Sequence, residues 1–348
     1  MKKTLLLLAT LGTLTACQSQ PPLDPALQTL SDHHLTFMRA QADRLAGELQ
    51  QLQQAGSDYC QPSSSATQKD ALADLKQHWR RSFATWSAHQ GQSGGPLDAE
   101  GLSFSFQFWP DKKDTTGKQL QRQLTAAEQG QPVRQQGVTT TLGAMEYLLE
   151  NDLTPRQRCL LLPGIGAELA ANGQRLSTAW HDADGYQQQL ARMQQQGGST
   201  ALLTQILGQL SHRYERIEKK LVLPLNTVEH PRPLFAEAWR SGQSLHFLRA
   251  SLLSLEQEYR HGGIRAYLQD SQQQDPSHAA VIAALDHAFA DTLKHLPEGD
   301  SLGYWLEGDR YAALLRFKLS FDQLGYQLKQ RLPEELGLNL GFNSTDGD

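Results

Sequence analysis

An all-α fold, arranged as two helical bundles in tandem, is what this 348-residue chain predicts. Three observations carry the prediction. Apolar residues recur at alternating steps of three and four through most of the sequence, the pattern of helices with one buried face. Each half offers about four such segments, enough for a bundle to enclose a core. Between the halves lies QQGGS (195–199), whose glycines read as a hinge. The mature chain also exceeds what one simple core supports, so we divide it into 27–195 and 196–348.

The N-terminus precedes the fold. Lys2 and Lys3, the apolar run LLLLATLG and then Leu14-Thr15-Ala16-Cys17 form a signal segment over 1–17, too short to cross a bilayer. A small-residue triplet closed by cysteine resembles the lipobox of bacterial lipoproteins. Cys17 is then the lipidated first residue of the mature protein, holding it to a membrane; an ordinary secretory peptide with a chance cysteine is the alternative. Gln18 after it, in place of aspartate, points to the periplasmic face of the outer membrane, with 18–26 as a tether.

Leu35, Met38, Ala42, Leu45, Leu49 and Leu52 draw one seam along a long first helix, which Gly56 ends. Thr67, with Asp70 three residues on, opens a second helix whose inward face is Leu72, Leu75, Trp79, Phe83 and Trp86. After the GQSGGP turn, LSFSFQFW alternates at period two and reads as a short strand or extended segment before Pro110. Helices follow at 115–128 and 139–150, and Thr154-Pro155 caps a longer one that Pro163 should kink. Beyond the hinge, four stripes mark further helices, beginning at Leu203, Leu245, Ile282 and Leu314; Pro224 closes the first of them.

The formal net charge of −5, with no concentrated basic run, argues against a nucleic-acid partner. Cys60 and Cys159 remain once Cys17 is set aside. In an oxidising periplasm an isolated pair is read as a disulfide, with two separate buried thiols as the alternative. There is no GxSxG elbow, HExxH helix or phosphate loop. HDADG (181–185) and STDGD at the C-terminus lack the twelve-residue calcium pattern and read as turns. His212 with Glu215, and Glu258 with His261, have helical spacing and read as surface pairs. His33 and His34 are placed on the polar flank of the first helix.

One helix contains an anomaly. In TLGAMEYLLEND, Gly143 sits one turn before Glu146, where alanine would be better by about 1 kcal/mol. This stretch, with FQFWPDKKDTTGKQL (106–120), FAEAWRSGQSLHFLRASLLSL (235–255) and LGLNLGFNSTDGD (336–348), resembles the imelysin family, bacterial periplasmic and outer-membrane proteins linked to iron uptake. The resemblance implies two related, pseudo-symmetric helical bundles with a site where they meet. It also implies a GxHxxE signature, on which the family is classed with metallopeptidases. Here Thr141 stands at the signature glycine, Gly143 at the histidine and Glu146 at the glutamate. Glycine offers no ligand atom, and one carboxylate does not hold zinc or iron.

The resemblance further makes Arg240 the partner of Glu146, and places Ser241 and Ser244 with them, Arg240 and Ser244 sharing a helix face. That group is either a ligand-binding polar pocket or an ion pair that fixes domain orientation. Trp109 and Asp111 either join the pocket or end the extended segment. No cofactor is certain; iron or zinc at Glu146 would need a distant histidine, and His246 is the first to check. The expectation is a non-catalytic outer-membrane lipoprotein binding a small ligand or metal, with an outer-membrane iron or haem transport system as partner. The alternatives are an imelysin-type metallopeptidase and a structural or partner-binding envelope protein.

Overall fold

The structure, a computed structural model, describes residues 24–61, 67–271 and 275–338. The signal segment, Cys17 and the STDGD terminus lie outside them. In chain order the helices are α1 (Pro25–Cys60), α2 (Gln68–Trp86), α3 (Pro96–Ala99), α4 (Ser103–Phe106), α5 (Thr115–Glu128), α6 (Leu142–Glu150) and α7 (Pro155–His181). They continue as α8 (Tyr186–Leu225), α9 (Ser244–His261), α10 (Ile264–Asp270), α11 (Ser277–His295), α12 (Leu302–Trp305), α13 (Tyr311–Tyr326) and α14 (Leu332–Glu335). The fold is all-helical, with no strand among the described residues.

Local chemistry sets most of the boundaries. Asp24 caps α1 and Pro25 occupies its first turn, so the helix begins inside the expected tether. It also runs past Gly56 to Cys60, because glycine lowers helix propensity without forbidding it. Thr67 caps α2 and bonds Asp70, as the sequence indicates. The strand expected in LSFSFQFW is replaced by α4 and an extended stretch ending at Pro110. Of its apolar residues, Leu102 and Phe106 are buried while Phe104 is exposed, and burial four apart is helical spacing. α7 continues through Pro163. Within QQGGS, Gly198 takes φ 61° and ψ −150°, interrupting the helical geometry of α8.

α1 lies along α7 and against α2, while α8 packs on α9 and α11 on α13. Contacts of α1 with α8 and α10, and of α2 with α9, tie the two halves of the chain together, and the buried apolar residues form one continuous cluster. The α2–α9 junction is aromatic: Phe83 stacks on Phe247 at 4.2 Å between centroids, and Trp79 meets Phe247 edge-on at 5.6 Å. Such pairs add about 0.5–1.5 kcal/mol each beyond their burial. Cys60 at the end of α1 is joined to Cys159 on α7 by a disulfide. None of the described helices is long and apolar enough to cross a membrane.

His34 departs from its expected place. It is fully buried against Trp180 and Tyr186, and burial pushes its imidazole down to about 4. His33 beside it is exposed. The α1 stripe is one residue wider than its leucines suggest, and His34 falls on it, one position from Leu35.

Candidate functional site

The site is built on α6. Thr141 caps this short helix by accepting a hydrogen bond from the Ala144 N–H at 3.1 Å, and the Trp79 indole donates to the Leu142 carbonyl at 2.9 Å. The helix is thereby pinned at its N-terminal turn. Gly143 and Glu146 share one face, and both line a cavity of about 370 Å³. A Cβ added at Gly143 would meet nothing nearer than Thr141 Oγ1 at 3.7 Å. The missing side chain therefore leaves open space, and packing does not require it. Gly143→Ala should raise stability by about 1 kcal/mol in denaturant unfolding, and a loss instead would show that the backbone there needs glycine.

Glu146 is only 4% exposed. Its Oε1 accepts two hydrogen bonds from Ser241, from the backbone N–H at 2.9 Å and from the hydroxyl at 2.8 Å. Burial dominates its titration and raises the carboxyl to about 7, against the opposing pull of the Ser241 bonds and of the Arg240 charge. Ser241 is held by a turn in which Ala238 adopts φ 47°, a left-handed conformation that costs an alanine about 1–2 kcal/mol. Strain of this kind is characteristic of sites whose geometry matters.

Arg240 also lines the cavity, but it is not the direct partner of Glu146. Its guanidinium pairs with Asp114 and lies over the rings of Trp239 at 4.5 Å and Tyr147 at 5.6 Å. The expected sharing of a helix face by Arg240 and Ser244 also fails, because α9 starts at Ser244 and Arg240 is in the preceding turn. Ser244 accepts the Leu302 N–H at 2.8 Å and does not line the cavity. Trp109 and Asp111 both line it and also have structural duties. The Trp109 indole donates to the Phe235 carbonyl at 3.2 Å, while Asp111 accepts the N–H groups of Thr115 and Thr116, each at 2.7 Å. Burial alone would raise the Asp111 carboxyl, but those two N–H donors hold it below its ordinary value.

The expected substitute ligand, His246, does not reach Glu146. It sits in a separate groove beside Arg80 and Asp300, with Arg80 at 3.3 Å from its Nδ1. Among the described residues no cluster of three His, Cys, Asp or Glu ligand atoms includes Glu146. The cavity thus offers one buried carboxyl, itself bonded to Ser241, aromatic walls from Trp109, Phe235 and Trp239, and a cationic rim including Lys112 and Lys113. That chemistry suits a partly apolar ligand carrying polar or anionic groups.

Behind this cavity lies a buried ionic network that sequence reading did not find. Lys220 on α8 pairs with Glu237 at 2.8 Å, both 1% exposed, and also donates to Ser251 Oγ at 2.6 Å. Gln90 and Gln107 donate to the same Glu237 oxygen at 2.8 and 2.7 Å. Burial alone would raise the Glu237 carboxyl, but Lys220, with Arg216 and Gln107, holds it below its ordinary value. Arg213 pairs with Glu258 nearby, so the supposed surface pair of Glu258 with His261 is corrected: Glu258 is buried and His261 exposed. The available signal was Lys220 abutting Ile217 and Leu221 on an apolar stripe.

A family model described as Imelysin matches residues 38–320. The chain belongs to the imelysin family. Two solved structures share the imelysin fold with it. An imelysin-like protein from Psychrobacter arcticum 273-4 superposes with a TM-score of 0.75 at 19% identity, over 92% of this chain and 100% of that one. A protein described as an iron-regulated protein A precursor, from Parabacteroides distasonis ATCC 8503, gives 0.65 at 13% identity, over 89% of this chain and 95% of that one. No curated protein matches. In this member of the family, Gly143 offers no side-chain donor beside Glu146, which is engaged by Ser241.

Proposed function

We propose that this imelysin-family protein is a non-catalytic envelope lipoprotein, anchored through Cys17 at the periplasmic face of the outer membrane, that binds a small ligand in the cavity beside Glu146. We place that cavity where two bundle units, 27–195 and 196–348, meet. One observation carries the reading: Glu146 is a buried carboxyl gripped by Ser241 beside the space that Gly143 leaves open. A metallopeptidase would need a metal-activated water, and no group of three His, Cys, Asp or Glu ligand atoms includes Glu146 among the described residues. A binding cleft needs only shape and complementary polar groups. The description of one structural relative as iron-regulated, with the aromatic walls and cationic rim, supports iron or haem acquisition as the context; an outer-membrane transport system is the partner we propose for it.

The test uses the mature chain without its lipid. Haemin and ferric iron are titrated separately, following quenching of tryptophan fluorescence, since Trp109 and Trp239 line the cavity. Saturable binding of one probe is expected, weakened about tenfold or more in Glu146→Ala and Arg240→Ala. No saturable binding of either probe would remove the iron and haem context. Binding unaltered in both variants would place the ligand elsewhere.

A further inference from the structure

We infer that Asp275, His278 and Glu335 form a divalent-cation site, far in sequence from the signature helix, that staples the short C-terminal helix α14 to the start of α11. One ligand atom from each residue lies within 4.8 Å of the others. His278 is 7% exposed, and its ring is already oriented. Its Nδ1 lies 2.7 Å from Ser271 Oγ, and that hydroxyl donates to the Tyr267 carbonyl at 2.8 Å. With its own proton engaged there, Ser271 accepts from the histidine. An Nδ1–H donated to Ser271 in this way would leave the Nε2 lone pair available to a metal. A hydrogen bond of this kind from the far ring nitrogen is how metal-bound histidines are commonly fixed.

The two carboxylates supply the second argument. The Ser277 hydroxyl contacts both Asp275, at 2.5 Å, and Glu335. A hydroxyl has one hydrogen and satisfies only one of them at a time. Neither carboxylate is ion-paired to a Lys or Arg among the described residues, since the neighbouring Arg331 turns to Glu334. Two carboxylate oxygens and an imidazole nitrogen are thus gathered with no Lys or Arg paired to them among the described residues. One nitrogen and two carboxylate donors, without sulfur, match borderline first-row ions such as Zn²⁺ or Mn²⁺ and do not match Cu⁺.

Because Asp275 lies just before α11, His278 is in its first turn and Glu335 ends α14, a bound ion would hold the last of the described helices in place. The experiment treats the full mature chain with chelator, then titrates Zn²⁺ and Mn²⁺ by calorimetry and by thermal unfolding. One equivalent should bind, with a midpoint that rises with metal concentration. His278→Ala and Glu335→Gln should each weaken binding about tenfold or more and remove the thermal shift. Absence of saturable binding at one equivalent, or binding retained in Glu335→Gln, overturns the site. Glu335 is half-exposed, so its variant decides the matter even if His278→Ala fails to fold.

Discussion

Lys220→Ala is expected to cost about 3–5 kcal/mol in denaturant unfolding, the largest loss of any single substitution considered. The lysine and Glu237 are each 1% exposed and 2.8 Å apart. Truncating the lysine leaves a carboxylate in the interior with only Gln90, Gln107 and the more distant Arg216 facing it. Desolvation of that anion is then no longer offset by its counter-charge. The double variant Lys220→Met/Glu237→Gln removes both charges and should lie within about 2 kcal/mol of the parent, because the cost comes from an unpaired charge rather than from loss of attraction. A double variant as unstable as the single one would mean that the network contributes mainly through its hydrogen bonds. Gln107 both donates to Glu237 and lines the cavity, so Lys220→Ala should also weaken ligand binding, while a distant core truncation of equal cost should not.

The helices were legible because their information is local. A stripe such as Leu35, Met38, Ala42 and Leu45 needs only its own residues to define a buried face, and all four are buried. The Thr67 cap with Asp70, and the Thr154 cap with Pro155, are likewise complete within four residues. Errors arose where a local signal competed with a tertiary one. LSFSFQFW has period-two composition, yet it folds as α4 because Leu102 and Phe106 both find the core. His34 looked polar, but its neighbours Trp180 and Tyr186 come from more than a hundred residues away. The candidate site shows the same division. Glu146, Ser241, Arg240, Trp109 and Asp111 are in or against one cavity, but the pairing inside it is not readable from spacing. Arg240 had two carboxylates in reach, and the turn that presents Ser241 to Glu146 directs Arg240 to Asp114. The buried Lys220–Glu237 pair was hidden for the same reason: a lysine beside a stripe is ordinarily a solvated flank.

Glu146→Gln should make the protein more stable at pH 8 by up to about 3 kcal/mol, yet leave it nearly unchanged at pH 4.5. The folded carboxyl titrates at about 7, against an ordinary value of 4.5. Below the ordinary value both folded and unfolded chains hold the proton, so the group adds no difference. Between 4.5 and 7 the folded chain binds a proton that the unfolded chain has released, and stability falls as pH rises. Above 7 the folded carboxyl is ionised as well, and the full burial cost is felt. Glutamine keeps an oxygen for the Ser241 N–H and hydroxyl but carries no charge, so it abolishes the slope. Unfolding midpoints of both proteins from pH 4.5 to 8.5 isolate the effect, since every other titrating group is common to the pair. Gln and Glu have nearly the same volume, so a chain selected for stability alone would gain from the amide at every pH above 5. Keeping the acid, beside a glycine that leaves the space open and a strained turn that delivers Ser241, makes sense if its proton or its charge meets a ligand. Ligand affinity in the parent should then change across pH 6–8 and lose that dependence in Glu146→Gln. Parallel stability curves for the two proteins would show instead that water or Arg240 already solvates the carboxylate, and the cleft would lose the group on which its binding chemistry rests.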